Sequence, residues 1–148
     1  MKKLLLVIVL FITCVVYSQN TERKYLFTNK YGVVNFEIIN RISESNSNVY
    51  SVISFQNTEY KSIIDTRIIL ISKKSELKEF AEKLIEFSEK EKGVELSFVK
   101  KDKYSINLFS DSNNIILMDK ENKFNYFSKK QAKNLAQDII SNIDLLKD

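Results

Sequence analysis

Apolar and polar residues alternate over much of the first half of the chain, the period-2 signature of strands that bury one face. Tyr25 to Thr28 reads as a short strand. Asn29-Lys30-Tyr31-Gly32 reads as a turn in which glycine is free to take positive φ. Val34, Phe36 and Ile38 share one face of the next strand, with Asn35, Glu37 and Arg41 on the other. A polar loop from Ser43 to Asn48 leads to a third strand, Val49 to Phe55, and a fourth, Ile63 to Ile71. The period then changes: Leu77, Phe80, Ala81, Leu84 and Phe87 recur at the three-and-four spacing of one helical face.

The second half repeats that order. Val94, Leu96 and Phe98 alternate with Glu95 and Ser97, and Lys101-Asp102-Lys103 turns the chain. Tyr104, Ile106 and Leu108 line one face of the returning strand. Ile115 to Met118 and Phe124 to Phe127 follow, bracketed by turn-rich segments. Ser128 and Gln131 form a capping box ahead of a final helix striped by Ala132, Leu135, Ala136, Ile139, Ile143 and Leu146.

Strands in antiparallel runs, each run closed by a helix, predict an α+β fold. The expected arrangement is one curved antiparallel sheet of seven or eight strands with both helices on one face. Three correspondences suggest a duplicated unit, with repeats at 32–92 and 93–148. Gly32 and Gly93 each precede Val and an alternating strand, and Tyr50–Phe55 parallels Tyr104–Phe109. Ile71-Ser72-Lys73-Lys74 parallels Phe127-Ser128-Lys129-Lys130.

One feature departs from a sheet with a single dry face. Ile38-Ile39, Ile68-Ile69-Leu70-Ile71 and Ile115-Ile116-Leu117-Met118 are continuous apolar runs, whereas a half-wetted sheet alternates more strictly. Setting Ile68 and Leu70 against the helices points Ile69 away from them. Either the sheet curls enough to bury part of its second face, or that face dimerises or binds a ligand or partner, with Ile39, Ile69, Ile116 and Met118 contributing to the contact face.

The N-terminus has its own pattern. Lys2 and Lys3 precede an apolar run from Leu4 to Val16, and Tyr17-Ser18-Gln19 turns polar, as in a secretory signal peptide. Residues 1–19 are therefore expected to be removed after Ser18 or Gln19, leaving residues 20–148 as a single domain. The apolar run is short against the ~20 residues of a membrane-crossing helix, so no stable span is expected after cleavage. Cys14 fits a lipoprotein poorly, because Thr13 precedes it and Val15 and Val16 continue the apolar run. A periplasmic or extracellular destination follows.

Composition narrows the chemistry. The 148-residue chain has no His, Pro or Trp, two Gly and one Cys. That cysteine lies in the leader, so the mature protein enters an oxidising compartment without disulfides. Formal charge is +4 for the whole chain, and losing Lys2 and Lys3 lowers it to +2, too little to argue for a nucleic-acid partner. Without His or mature Cys, nucleophilic triads and zinc, copper or haem sites lose their usual residues. Two glycines cannot build a phosphate-cradling loop. Asp111-Ser112-Asn113-Asn114 lacks the alternating acids of a calcium loop. Lys100, Lys101 and Lys103 beside Tyr104 read as solvated turn lysines, and Asp65 with Arg67 as a same-face polar pair. No catalytic, cofactor-binding or metal-ligating residue is therefore assigned.

The expected function is a non-enzymatic binding or interaction module of the cell envelope or periplasm. Its partner would be a protein or an apolar ligand, with a homodimer through the open face as a further arrangement. The alternative is a carboxylate-dependent hydrolase of envelope polymers, for which Glu59, Asp65 and Glu95 are the available acids.

Overall fold

A computed structural model describes residues 21–43, 46–58, 65–109 and 112–146. Residues 1–19, expected to be a leader, and Glu59 lie outside the described residues. Eight strands and two helices follow one another in the order expected. Strands β1 (Glu22–Tyr31), β2 (Val34–Ile42), β3 (Ser47–Gln56) and β4 (Thr66–Ile71) precede helix α1 (Lys74–Ser88). Strands β5 (Leu96–Lys100), β6 (Tyr104–Leu108), β7 (Asn114–Asp119) and β8 (Phe124–Ser128) precede helix α2 (Lys129–Asn142) and a 3-10 turn, Ile143–Leu145.

The strands form two four-stranded antiparallel meanders, β1-β2-β3-β4 and β5-β6-β7-β8, in place of the single sheet expected from the sequence. β3 runs past β4 only at its Ser47–Tyr50 end, while at its other end Gln56 pairs with Thr66 and the chain just beyond bonds to the second sheet. There Thr58 N–H donates to Phe124 O at 3.1 Å, and the Asn125 side-chain amide donates to Gln56 O. Twist accumulating at roughly 20° per strand also disfavours eight strands in one open sheet.

One core joins both sheets and both helices. Val34, Phe36, Ile53 and Ile71 from the first sheet meet Ile106, Leu108, Ile115 and Leu117 from the second. The stripes Leu77/Phe80/Leu84 and Leu135/Ile139 close over them, and the two helices pack on each other. Each such side chain taken out of water contributes about 1.5–3 kcal/mol.

Each helix is tied to the opposite half. On α1, the nearly buried Glu76 accepts from Lys103 Nζ at 2.8 and 2.6 Å, and Glu79 accepts from Lys100 Nζ at 2.6 Å. Both lysines flank the β5–β6 turn, where Asp102 takes φ 62°. On α2, Asp138 accepts from Asn29 Nδ2 at 2.9 Å and from the Tyr31 hydroxyl at 2.5 Å. The β1–β2 turn also presses on the start of α2. Gly32 there has φ +64°, and a Cβ would collide with the Gln131 side chain. That side chain is occupied: Gln131 Oε1 accepts from Ser128 N–H at 2.8 Å while Ser128 Oγ accepts from Gln131 N–H at 3.2 Å. The capping box expected from the sequence is thus formed. By contrast, α1 starts from Lys73 with no side-chain cap.

The two halves share strand order and strand-to-helix joint, and Ile71-Ser72-Lys73-Lys74 and Phe127-Ser128-Lys129-Lys130 occupy equivalent joints. The other two correspondences do not align. Gly32 sits in the first hairpin turn, whereas Gly93 lies between α1 and β5; Tyr50–Phe55 is in a third strand, whereas Tyr104–Leu108 is a second. The glycine match fails because the position equivalent to Gly32 is filled by Asp102, a residue type that tolerates the left-handed conformation through its short polar side chain.

Candidate functional site

Strand register decides which residues face away from the helices. Val34, Phe36 and Ile38 point into the core, so Asn35, Glu37, Ile39 and Arg41 point outward from β2. Pairing carries that parity across the sheet. Tyr25 and Tyr50 lie opposite Ile39, Val52 lies opposite both Glu37 and Leu70, and Ser54 lies opposite Ile68. Arg23 lies opposite Arg41 at the end of the same face.

These residues line an open groove of about 980 Å³ on the helix-free face of the first sheet. The apolar residues run diagonally across it, from Tyr25, Ile39 and Tyr50 through Val52 and Leu70 to Ile68. Ile39 is nearly buried, at 5% exposure, while Tyr25, Ile68 and Leu70 stand 55–58% exposed. A half-exposed row beside a buried floor is an unusual use of large apolar side chains on a monomer surface. Arg23 and Arg41 are exposed, and neither side chain has a hydrogen bond or an ion pair among the described residues.

The four residues expected to form a contact face separate. Ile39 is in the groove floor. Ile116 and Met118 lie outward on the second sheet, where Ile116 sits opposite Asn107 and Tyr126 and is nearly buried. Ile69 belongs to the core, at 3% exposure. Its pairing with the buried Ile53 fixes it there and turns Ile68 and Leu70 outward instead. A continuous apolar run does not reveal which parity faces the helices; its cross-strand partners do.

A second, smaller hollow of about 340 Å³ lies at the seam between the sheets. Arg67, Asp119 and Glu121 in its lining are already engaged with one another. Arg67 donates to Asp119 at 2.6 Å and to Glu121 at 2.5 Å, and reaches Asp65 at 3.4 Å. Asp119 is nearly buried and its other oxygen accepts from the backbone of Glu121 and Lys123. These carboxylates hold Arg67 firmly protonated. The Asn57 amide, and after it Arg67, holds the Asp65 carboxyl below its usual range. An acid so stabilised as its anion is poorly suited to donate a proton. The Asp65–Arg67 pair read from the sequence is therefore part of a larger seam joint, which its strand spacing alone did not reveal.

The basic run is likewise structural. Lys100 and Lys103 are committed to Glu79 and Glu76, and hydrogen bonding from Glu79 raises the Lys100 pKa. Among the described residues there is no group of three or more His, Cys, Asp or Glu side chains placed to hold a metal ion. Nor is any described helix long and apolar enough to cross a membrane.

No protein-family model matches the chain, and no curated protein matches it. The groove's own chemistry therefore carries the functional assignment.

Proposed function

We propose that the protein is an exported, non-enzymatic binding module of the periplasm or extracellular space, and that it holds its partner on the outer face of the first sheet. The signal-peptide pattern of residues 1–19 supports export. The observation that carries the binding reading is the exposure of Ile68 and Leu70 beside the buried Ile39, with polar side chains around them. Apolar groups placed this way gain free energy only when something covers them.

The reading is tested on the protein recovered from its native host, by native mass measurement of the wild type and of an Ile68→Lys/Leu70→Lys variant. The wild type should carry a bound species that the variant loses, while far-UV circular dichroism and the urea midpoint stay unchanged. Retention of that species by the variant at wild-type occupancy overturns the reading. So does turnover of a substrate that stops on removal of a single acid or serine.

A further inference from the structure

We infer that the groove binds a long-chain carboxylate, with the head between the Arg23 and Arg41 guanidiniums and the chain along the apolar diagonal; this rests on the groove being the binding surface. Three observations select that chemistry.

The first is charge. Arg23 and Arg41 sit directly opposite each other on β1 and β2, which places their Cβ atoms about 5 Å apart. Like charges facing across a strand pair repel, and neither guanidinium makes an ion pair among the described residues. Among the described residues lining the groove, Glu37 is the one other carboxylate or cationic side chain. Two arginines and one glutamate leave a single positive charge uncompensated, which matches a monoanion. Guanidinium geometry also suits a carboxylate, which can take paired N–H donors from each arginine.

The second is shape. The groove face runs from the Arg23/Arg41 pair to the Asn35/Ser54/Ile68 row, a distance of about 20 Å at the usual strand rise. Crossing from β1 to β4 adds three strand spacings, about 14 Å. The diagonal so defined starts at the arginines and ends at Ile68, the span of a long alkyl chain.

The third is the absence of free backbone. Strands β2 and β3 are each paired on both sides, so their N–H and C=O groups are committed within the sheet. A peptide laid over this floor would have to leave its own amides facing Ile39, Val52 and Leu70 without partners, at a cost for each. An alkyl chain has no such groups to satisfy. It needs one polar anchor, and the groove offers one at its end.

The test uses the host-derived protein after delipidation, with oleate and oleyl alcohol as probes below their aggregation limits and titration calorimetry as the readout. Oleate should bind at least tenfold tighter than the alcohol. Arg23→Gln/Arg41→Gln should weaken oleate by about ten- to a hundredfold, the range for losing charge-assisted hydrogen bonds, and leave the alcohol unchanged. Ile68→Lys/Leu70→Lys should weaken both.

Equal affinity for oleate and the alcohol, both lost in the Ile68/Leu70 variant, overturns the carboxylate inference and leaves the groove reading standing. The same holds if neither probe binds while anionic phospholipid vesicles, an acidic peptide or a second copy of the chain does so in a manner sensitive to Ile68 and Leu70. Oleate binding that ignores both double variants overturns the inference and the groove reading together.

Discussion

The outward faces of the two sheets differ far more than their inward ones. Both sheets present alternating Ile, Leu, Val and Phe to the helices, buried almost completely on the inner strands and partly at the edge strands, as at Phe27, Leu96 and Phe98. Outward, the first sheet has strands of up to ten residues, exposed Tyr25, Ile68 and Leu70, and two arginines with no described partner. The second has strands of five or six residues and exposes Val99 and Tyr126 outward beside the nearly buried Ile116, with no arginine among them. Its outward polar groups satisfy one another: Ser97 donates to Asn107 at 2.7 Å, and Asn107 donates to Ser105 at 3.2 Å. The inward face is held to one pattern by the shared core. The outward face is free to diverge, and the first sheet's longer strands supply the surface on which it has done so.

That contrast is broken most directly by placing lysine at outward positions of both sheets. Ile116→Lys on the second sheet forces an ammonium into a nearly buried site and should cost about 3 kcal/mol, as expected for an unpaired buried charge. Ile68→Lys on the first sheet replaces an exposed side chain and should change stability by no more than about 0.5 kcal/mol. Urea unfolding measures both. Equal losses would mean that Ile68 is covered in the folded protein and that the groove is closed.

A smaller contrast separates two buried tyrosines. Tyr31 donates to Asp138, and burial followed by that carboxylate raises its pKa. Tyr104 packs edge-on against Phe80, with centroids 5.1 Å apart. Its hydroxyl is buried with no hydrogen-bond partner among the described residues, and burial, then Glu76 and Glu79, keep it protonated. Removing the two hydroxyls should therefore have opposite signs. Tyr31→Phe should cost about 1–2 kcal/mol, whereas Tyr104→Phe should gain up to about 1 kcal/mol by deleting an unsatisfied buried group. A loss on Tyr104→Phe comparable to that at Tyr31 would show that its hydroxyl is hydrogen-bonded after all.

How far the sequence predicts this molecule depends on the range of the interaction involved. The capping box at Ser128 and Gln131 is local and is formed as read. So are the helical stripes at Leu77–Phe87 and Ala132–Ile139, because period alone specifies them. The split into two sheets was not legible, since it turns on which strands pair with which, and period within a strand does not encode that. The site was half legible. Doubled apolar runs pointed to apolar residues on a second face, and Ile39 does face away from the helices, but the parity of Ile68 to Ile71 depends on pairing with Ser51 and Ile53. Arg23 and Arg41 were missed because they stand 18 positions apart in the sequence and become neighbours only through the β1–β2 register. The roles of Lys100 and Lys103 were missed likewise, their partners being on a helix of the other half.

The smallest expected effect concerns the seam, where the first sheet's Asp65 meets the joint that also holds Asp119 of the second. Asp65 accepts from Asn57 Nδ2 at 3.0 Å and from Arg67 at 3.4 Å, and the first of these does most to lower its folded pKa. A depressed folded value means that Asp65 contributes stability above the ordinary carboxylate range, and that the contribution fades as pH falls through the folded value. Asp65→Asn should therefore lower the urea midpoint slightly at neutral pH. The wild-type and variant curves should then converge on acidification, as pH falls through and below the depressed folded value. A gap that stays constant, or widens in acid, would mean that the Asp65 charge contributes nothing to the seam. Arg67 would then be held to the second sheet by Asp119 and Glu121 alone.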